Sequence, residues 1–539
     1  MRRMLPTLAL VIAAMVALST GASATGPGGW DHFGHGATAA VPALNGAVYA
    51  LNSDNPGVLY AGGAFTDAGG HATADYIAKW NGVAWSALGS VTLNGAVNAI
   101  AFHAGKVYVG GQFTNVGSDP NLDFLAVWNP VTSTWSSPCN VPHSITASVQ
   151  ALQIIGNTLY IGGSFQNGAG IPSADYLLAC DLTTGTPSST VPSPTNDFSG
   201  GIRALTADSN GTLYAGGSFS NLVGIPAADS VAYYSGGTWH AMGSGPLNHG
   251  NAAVFGIVRS LAAHGTDVYV GTDAVDIDQI PQADHVAKWD ALTLSYSAMG
   301  SNSAGTDGWF TTTTFIYALT TSGSLVFAAG SFQNANGQAT ADEIAYFDGS
   351  AWHPLGSDGA GNGPLDSQVS ALAIYALRVC AGGNFTNAGG DGLADSLGAD
   401  WLLRPDARIG TYLAGPFAGN NVYSATGAGE SKTISAARGH SGTLFADIQN
   451  DGLTADTFHV KGTGTAKGFT VTYFRGATNV TTQVKAGTFS TGSLAPGAHV
   501  TLKMVVKLSA ASAATGSFLV KATSPGTPPD AVKAVVKAK

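Results

Sequence analysis

One apolar phrase returns through most of the chain. Residues 59–66 read LYAGGAFT, and relatives follow as VYVGGQFT (107–114), LYIGGSFQ (159–166), LYAGGSFS (213–220), VYVGTDAV (268–275), VFAAGSFQ (326–333) and VCAGGNFT (379–386). These seven copies stand 48 to 58 residues apart. A loop rich in Asn, Gly and Pro follows the phrase. Then come an Asp, a small apolar run and an aromatic, as in DYIAKW (75–80), DFLAVW (123–128) and DHVAKW (284–289). A turn leads to W-x-x-L-G or a relative, at Trp85–Gly89, Trp239–Gly243, Tyr296–Gly300 and Trp352–Gly356. Another apolar segment, such as AVNAIAF (96–102), precedes each phrase. Four short apolar segments split by turn residues predict four antiparallel strands per repeat. Such a sheet cannot bury both faces alone, and radial stacking into a β-propeller solves that. The double glycine is expected where neighbouring backbone comes close.

The seventh copy has its third-strand aromatic at Trp401 but no W-x-x-L-G after it. Residues 30–34, Trp-Asp-His-Phe-Gly, carry the missing pattern, so they are expected to supply the outer strand of the last blade and leave no open edge. The expected unit is a seven-bladed propeller over 25–404, with 30–34 as closing strand. A strand ending in Gly-Gly, an aromatic-Asp/Asn turn and a following Trp resemble the kelch-type repeat, most closely at Trp128-Asn129-Pro130 through Trp135. The longer phrase resembles kelch-like propellers of secreted and cortical surface proteins. That resemblance implies the fold and says little of activity, because propellers host many functions.

After Arg404-Pro405 the repeat stops. Segments 442–450, 455–461, 469–475, 498–508 and 516–523 are strand-like, split by Asn450-Asp451-Gly452 and Leu494-Ala495-Pro496-Gly497. This spacing predicts an antiparallel immunoglobulin-like β-sandwich over 405–539. The turn phrases resemble bacterial extracellular immunoglobulin-like modules of the CARDB and NPCBM-associated kind, which implies a spacer or attachment role. The whole chain is therefore expected to be all-β.

Composition adds compartment and excludes partners. Glycine numbers 73 of 539 residues and glutamate only two, Glu343 and Glu430. Residues 25–404 hold seven Lys/Arg and 26 acids, net −19, whereas 405–539 carry net +7. The acidic part lacks the cations that phosphate binding needs, so no nucleic acid is expected as partner. Arg2 and Arg3, an apolar run from Leu8 to Leu18 and Ala22-Ser23-Ala24 form the three parts of a secretory signal over 1–24. No later stretch reaches the length of a membrane span, so the mature chain is expected to be secreted without an integral membrane segment. Three cysteines make no disulfide framework: Cys180 and Cys380 read as buried thiols and Cys139 as a loop residue.

The candidate chemistry is sparse. Asp75, Asp123, Asp175, Asp229, Asp284, Asp342 and Asp395 fill one repeat position, which suits carboxylates accepting turn N–H groups better than catalysis. Asp273, Asp276 and Asp278 cluster where the fifth phrase breaks down. Clustered aspartates suit calcium, making these the metal-ligand candidates; no Asp-x-Asp-x-Asp-Gly loop accompanies them, so the alternative is an acidic solvated loop, and no other cofactor is expected. No G-x-S-x-G elbow is present. The long loops after the fourth strands carry Asp197 and Phe198, His249 and Phe255, and Asp307, Trp309 and Phe310. An aromatic beside an acid offers a sugar a stacking face and an acceptor, so these are the candidate ligand residues. The alternative is that the aromatics fold back as plugs on the blade edges. The reading is a non-catalytic binding or adhesion protein for an extracellular glycan or surface protein. The competing one is a carbohydrate-active enzyme using propeller-mouth aspartates.

Overall fold

The computed structural model describes residues 30–539 other than 55–56, 140–144, 191–197, 244–251, 311–313, 359, 376–377, 395–398, 403–404, 420–425, 428–429, 451–454, 466, 496 and 525–528. The chain is all-β, and its four-stranded antiparallel sheets are propeller-like. In the first sheet Val48–Ser53, Leu59–Gly63, Ile77–Trp80 and Trp85–Ser86 bond to one another in sequence order. The same order recurs in the five repeats that follow. The last sheet takes Val369–Tyr375, Arg378–Gly383 and Ala399–Leu402 from the seventh repeat and Trp30–His32 from the start of the chain, with Trp30 opposite Trp401.

First strands lie innermost. Val48–Ser53 touches Val97–His103, and so on through Val149–Ile155, Ile202–Ala207, Val258–His264 and Phe315–Ser322 to Val369–Tyr375, which touches Val48–Ser53 again. The paired glycines make this closeness possible in two different ways. A methyl group on Gly62 would lie 2.4 Å from Val97 Cγ1 of the next sheet, and one on Gly382 would lie 2.4 Å from Val48 Cγ1. A methyl group on Gly63 would lie 1.9 Å from the Ala47 carbonyl oxygen of its own sheet. The first glycine thus seats a neighbour's branched side chain and the second seats backbone, while the sixth and fifth copies place Ala329 and Thr272 at these two positions.

Three of the outer strands are fastened by indoles. Trp85 donates its Nε1–H to the Phe33 carbonyl at 2.6 Å, Trp352 to the Met299 carbonyl at 2.5 Å and Trp30 to the Leu355 carbonyl at 3.2 Å. Each acceptor is the fourth residue of the W-x-x-L-G segment of the preceding sheet. The glycine that ends that segment lies against the next sheet's third-strand ring: a methyl on Gly34 would sit 2.9 Å from Trp80 and one on Gly89 would sit 2.5 Å from Trp128.

At one boundary the chemistry changes. The third sheet has Cys180 where the first and second have Trp80 and Trp128, and the segment before it ends in Cys139 where those before the first and second end in Gly34 and Gly89. The two sulfurs form a disulfide. The expectation that Cys180 is a buried thiol and Cys139 a loop residue is therefore corrected. A Gly–Trp contact has been exchanged for a Cys–Cys bond, while Cys380 remains a buried thiol.

Beyond residue 404 two sheets share one buried core, with Leu444, Leu502 and Met504 from one meeting Phe458, Phe518 and Val532 from the other. One sheet has six strands, built around Pro405–Gly410, Ser441–Asn450, His499–Leu508 and Phe469–Arg475. The other has five: Ser431–Ala436, Asp530–Ala538, Thr515–Thr523, Asp456–Gly462 and Phe489–Leu494. Each strand-like segment of the sequence is a strand here. Those the pattern hid lack clean alternation: Phe489–Leu494 reads FSTGSL, and Asp530–Ala538 is mostly Ala, Val and Lys.

Candidate functional site

The repeated aspartates are committed to the fold. Asp75, Asp123, Asp175, Asp342 and Asp284 accept the backbone N–H of the residue eight positions earlier at 2.8, 2.6, 2.6, 2.6 and 2.9 Å. Asp229 does the same with Asn221 at 2.5 Å. The donors Asp67, Asn115, Asn167, Asn221, Asp276 and Asn334 are all left-handed, with φ between 49° and 52°. Short polar residues tolerate that conformation, and the carboxylate caps the turn it creates. The seventh member, Asp395, lies outside the described residues.

The loop aromatics are plugs. Phe198 packs edge-on against Trp239 at 5.2 Å, Trp309 stacks on Trp352 at 6.0 Å and Phe310 meets Trp352 at 5.0 Å. All three are buried, so none presents a face to a sugar, and this part of the expected site is corrected. The physical reason is that a long loop over a blade edge gains more by covering the outer Trp than by leaving an aromatic in water. Phe255 is the exception, 64% exposed. Asp197 and His249 lie outside the described residues.

Asp307 is tied to the same plug. Its carboxyl lies beside that of Asp284, which also accepts the Gly308 N–H at 3.1 Å. Burial, with Asp307 adding to it, outweighs the backbone donors and holds Asp284 up at about 6. The proposed metal ligands do not converge. Asp273 accepts from Ile257 N–H at 2.6 Å and pairs with Arg259 at 3.1 Å, Asp276 stands left-handed in a turn, and Asp278 is raised by its own burial. Among the described residues no three His, Cys, Asp or Glu side chains form a metal-holding group.

Glu343 is a further perturbed acid. It is buried; burial first, then the charges of Asp342 and Asp366, push it up to about 8. A carboxyl whose folded value lies above its unfolded 4.5 favours folding fully below pH 4.5, and that advantage is lost as pH rises toward 8. Glu343→Gln should therefore raise the unfolding free energy by about 3 kcal/mol at pH 7 and change it little at pH 4. Urea unfolding at the two pH values checks this; equal effects at both would refute it.

What remains exposed at the centre is a ring the sequence reading passed over. Each first strand carries a register shift near its start, between Val48 and Ala50, Val97 and Ala99, Val149 and Ala151, Ile202 and Ala204, Val258 and Ser260, Ile316 and Ala318, and Val369 and Ala371. The skipped residues are Tyr49, Asn98, Gln150 and Arg203, then Arg259, Tyr317 and Ser370. A bulge re-aims its side chain and is common beside functional sites. None of the seven is buried, although their flanking residues are. Neighbours meet around the ring. Arg259 lies over the Tyr317 ring at 5.3 Å and over Phe315 at 5.2 Å, and Asn98 Nδ2 donates to the Val149 carbonyl at 3.0 Å. The signal was legible: a constant branched-x-small frame whose middle residue varies among Tyr, Asn, Gln, Arg and Ser.

Residues 83–258 match the family model described as the Rax2 C-terminal beta propeller domain. No curated protein matches the chain. Solved structures with similar segments include a GH5 xyloglucanase of Bacteroides ovatus in complex with a XXXG heptasaccharide, at 6% identity and TM-score 0.13, covering 20% of this chain and 17% of that one. The PapD-like domain 7 of human CEP192 is similar at 11% identity and TM-score 0.14, covering 20% and 80%. The N-terminal domain of PorA is similar at 15% identity and TM-score 0.17, covering 25% and 97%. The chain thus spans under a fifth of the xyloglucanase's length, and at these scores none of the three bears on fold or function. The family match and the four-stranded sheets give a β-propeller domain, a scaffold suited to binding.

Proposed function

We propose that this chain is a secreted, non-catalytic binding protein. Residues 25–404 form one closed seven-bladed propeller of kelch-like type whose central opening recognises an extracellular glycan or surface protein. Residues 405–539 form an immunoglobulin-like sandwich, of the CARDB and NPCBM-associated kind, that spaces or attaches it. One observation carries the reading. The repeat spends its aspartates and outer aromatics on packing and leaves one variable, unburied residue per sheet on the innermost strand. A fixed frame with one free position per blade suits recognition.

Export is supported by the three-part N-terminal segment over 1–24, which lies outside the described residues, and by the Cys139–Cys180 disulfide, a bond characteristic of oxidising compartments. No helix among the described residues is long and apolar enough to cross a membrane. Mass spectrometry of exported protein should find Thr25 first; a retained Met1 would refute cleavage.

The enzyme reading has one observation on its side, the Asp284–Asp307 carboxyl pair with Asp284 at about 6. Against it, Asp284 already accepts two backbone N–H groups. A glycan array run beside a hydrolysis screen separates the two. Binding without turnover supports the proposal, whereas turnover abolished by Asp307→Asn would support the enzyme.

A further inference from the structure

We propose that the ligand is an acidic glycan, read through an isolated carboxylate such as that of a uronic acid, and that Arg203 and Arg259 hold this carboxylate. This rests on the binding role proposed above and narrows it to a chemical class.

Residues 25–404 contain only four arginines, in a segment of net charge −19. Two of them occupy the same bulge position on the innermost strands of adjoining sheets, Ile202–Ala207 and Val258–His264. Arg203 is exposed and makes no ion pair among the described residues. Arg259 is positioned from three sides. Asp273 pairs with its Nη2 at 3.1 Å, and the Phe315 and Tyr317 rings lie against its guanidinium at 5.2 and 5.3 Å. Its Nε is buried without a hydrogen-bond partner among the described residues. A guanidinium fixed this way loses little freedom on binding and matches a carboxylate in geometry as well as charge.

The surroundings select among anions. An acidic body repels a densely charged polyanion at long range, but this repulsion is screened beyond about 8 Å in physiological salt, so a single carboxylate brought onto two arginines escapes most of it. The rest of the ring suits a polyol. Asn98 and Gln150 turn their NH2 groups to Ser148 and Ser164 at 3.2 and 3.0 Å, which leaves their amide oxygens as acceptors for hydroxyls. Tyr49 on the same ring is 38% exposed, and Phe255, four residues before Arg259, is 64% exposed. Both offer apolar faces of the kind a pyranose ring covers.

The test uses the full mature chain. Binding is measured by calorimetry to glucuronate- and galacturonate-terminated oligosaccharides, to their carboxyl-reduced neutral counterparts, and to an acidic decapeptide. The acidic sugars are expected to bind about tenfold or more tighter than the neutral ones, the scale of one charge-assisted contact. Arg203→Gln and Arg259→Gln should each remove about tenfold, and together they should erase the preference. Because Arg259 is packed, Arg203→Gln is the decisive variant, with an unchanged melting temperature as its control. Equal binding of acidic and neutral sugars overturns this inference and leaves the binding role standing. Peptide binding without sugar binding overturns it in favour of a protein partner. Binding to none of the three overturns the acidic-glycan inference, and the glycan array alone then decides the binding role.

Discussion

Trp30→Ala should lower the unfolding free energy by about 3–5 kcal/mol, the range for truncating a fully buried large aromatic. The side chain is 0% exposed, and its Nε1–H reaches the Leu355 carbonyl of the preceding sheet. Truncation opens a cavity and strands that carbonyl at once. A methyl on Gly389 would lie 2.9 Å from Trp30 Cβ, so the pocket is walled by backbone that cannot relax inward cheaply. Trp135→Ala is the internal standard. Its ring is half-buried and its Nε1 makes no hydrogen bond among the described residues, so it should cost clearly less. Urea unfolding of both variants decides the matter. A Trp30 loss no larger than that of Trp135 would show that the N-terminal strand contributes little to holding the last sheet.

Removing the disulfide should cost about 4 kcal/mol, from the entropy of a closed loop of this size. The bridge spans 41 residues and joins the end of the second sheet to the third strand of the third sheet. Cys180→Ala should show that loss in oxidised protein and none in protein already reduced. The repeat itself suggests a rescue. At the Gly34–Trp80 and Gly89–Trp128 boundaries this contact pairs a glycine with a third-strand Trp, so Cys139→Gly with Cys180→Trp should recover most of the stability without a covalent bond. A double variant as unstable as Cys180→Ala would refute the equivalence of the two contacts.

Much of this architecture was legible because it repeats. Copies of one phrase exposed the strands, and the position shared by Asp75 and Asp123 pointed to turn capping. The misreadings came from treating departures from the repeat singly. Cys180 stands at the third-strand position of Trp80 and Trp128 and reads as a buried thiol only while Cys139 is taken as an ordinary loop residue. Set beside Cys139, which replaces Gly34 and Gly89, it is one half of a compensated pair. The aromatics Phe198, Trp309 and Phe310 leave two readings open in the sequence, a ligand face or a plug, and the second holds because these loops cover the outer tryptophans. The bulge ring was overlooked for a related reason. Arg203 and Arg259 sit inside regular apolar strands, where a side chain's direction depends on a backbone shift that shows only when the branched-x-small frames of all copies are set side by side.

The strand borrowed from the start of the chain also governs assembly kinetics. Trp30 pairs with Trp401 across nearly the whole first unit, whereas other outer strands join through short hairpins. Closing so long a loop costs about 3 kcal/mol more entropy than closing a ten-residue one, so this contact is expected to form last. Until then the last sheet exposes Ala399–Leu402 as an unpaired edge. At high concentration the equivalent N-terminal strand of a second molecule competes for that edge, and refolding should then yield strand-exchanged dimers in place of closed monomers.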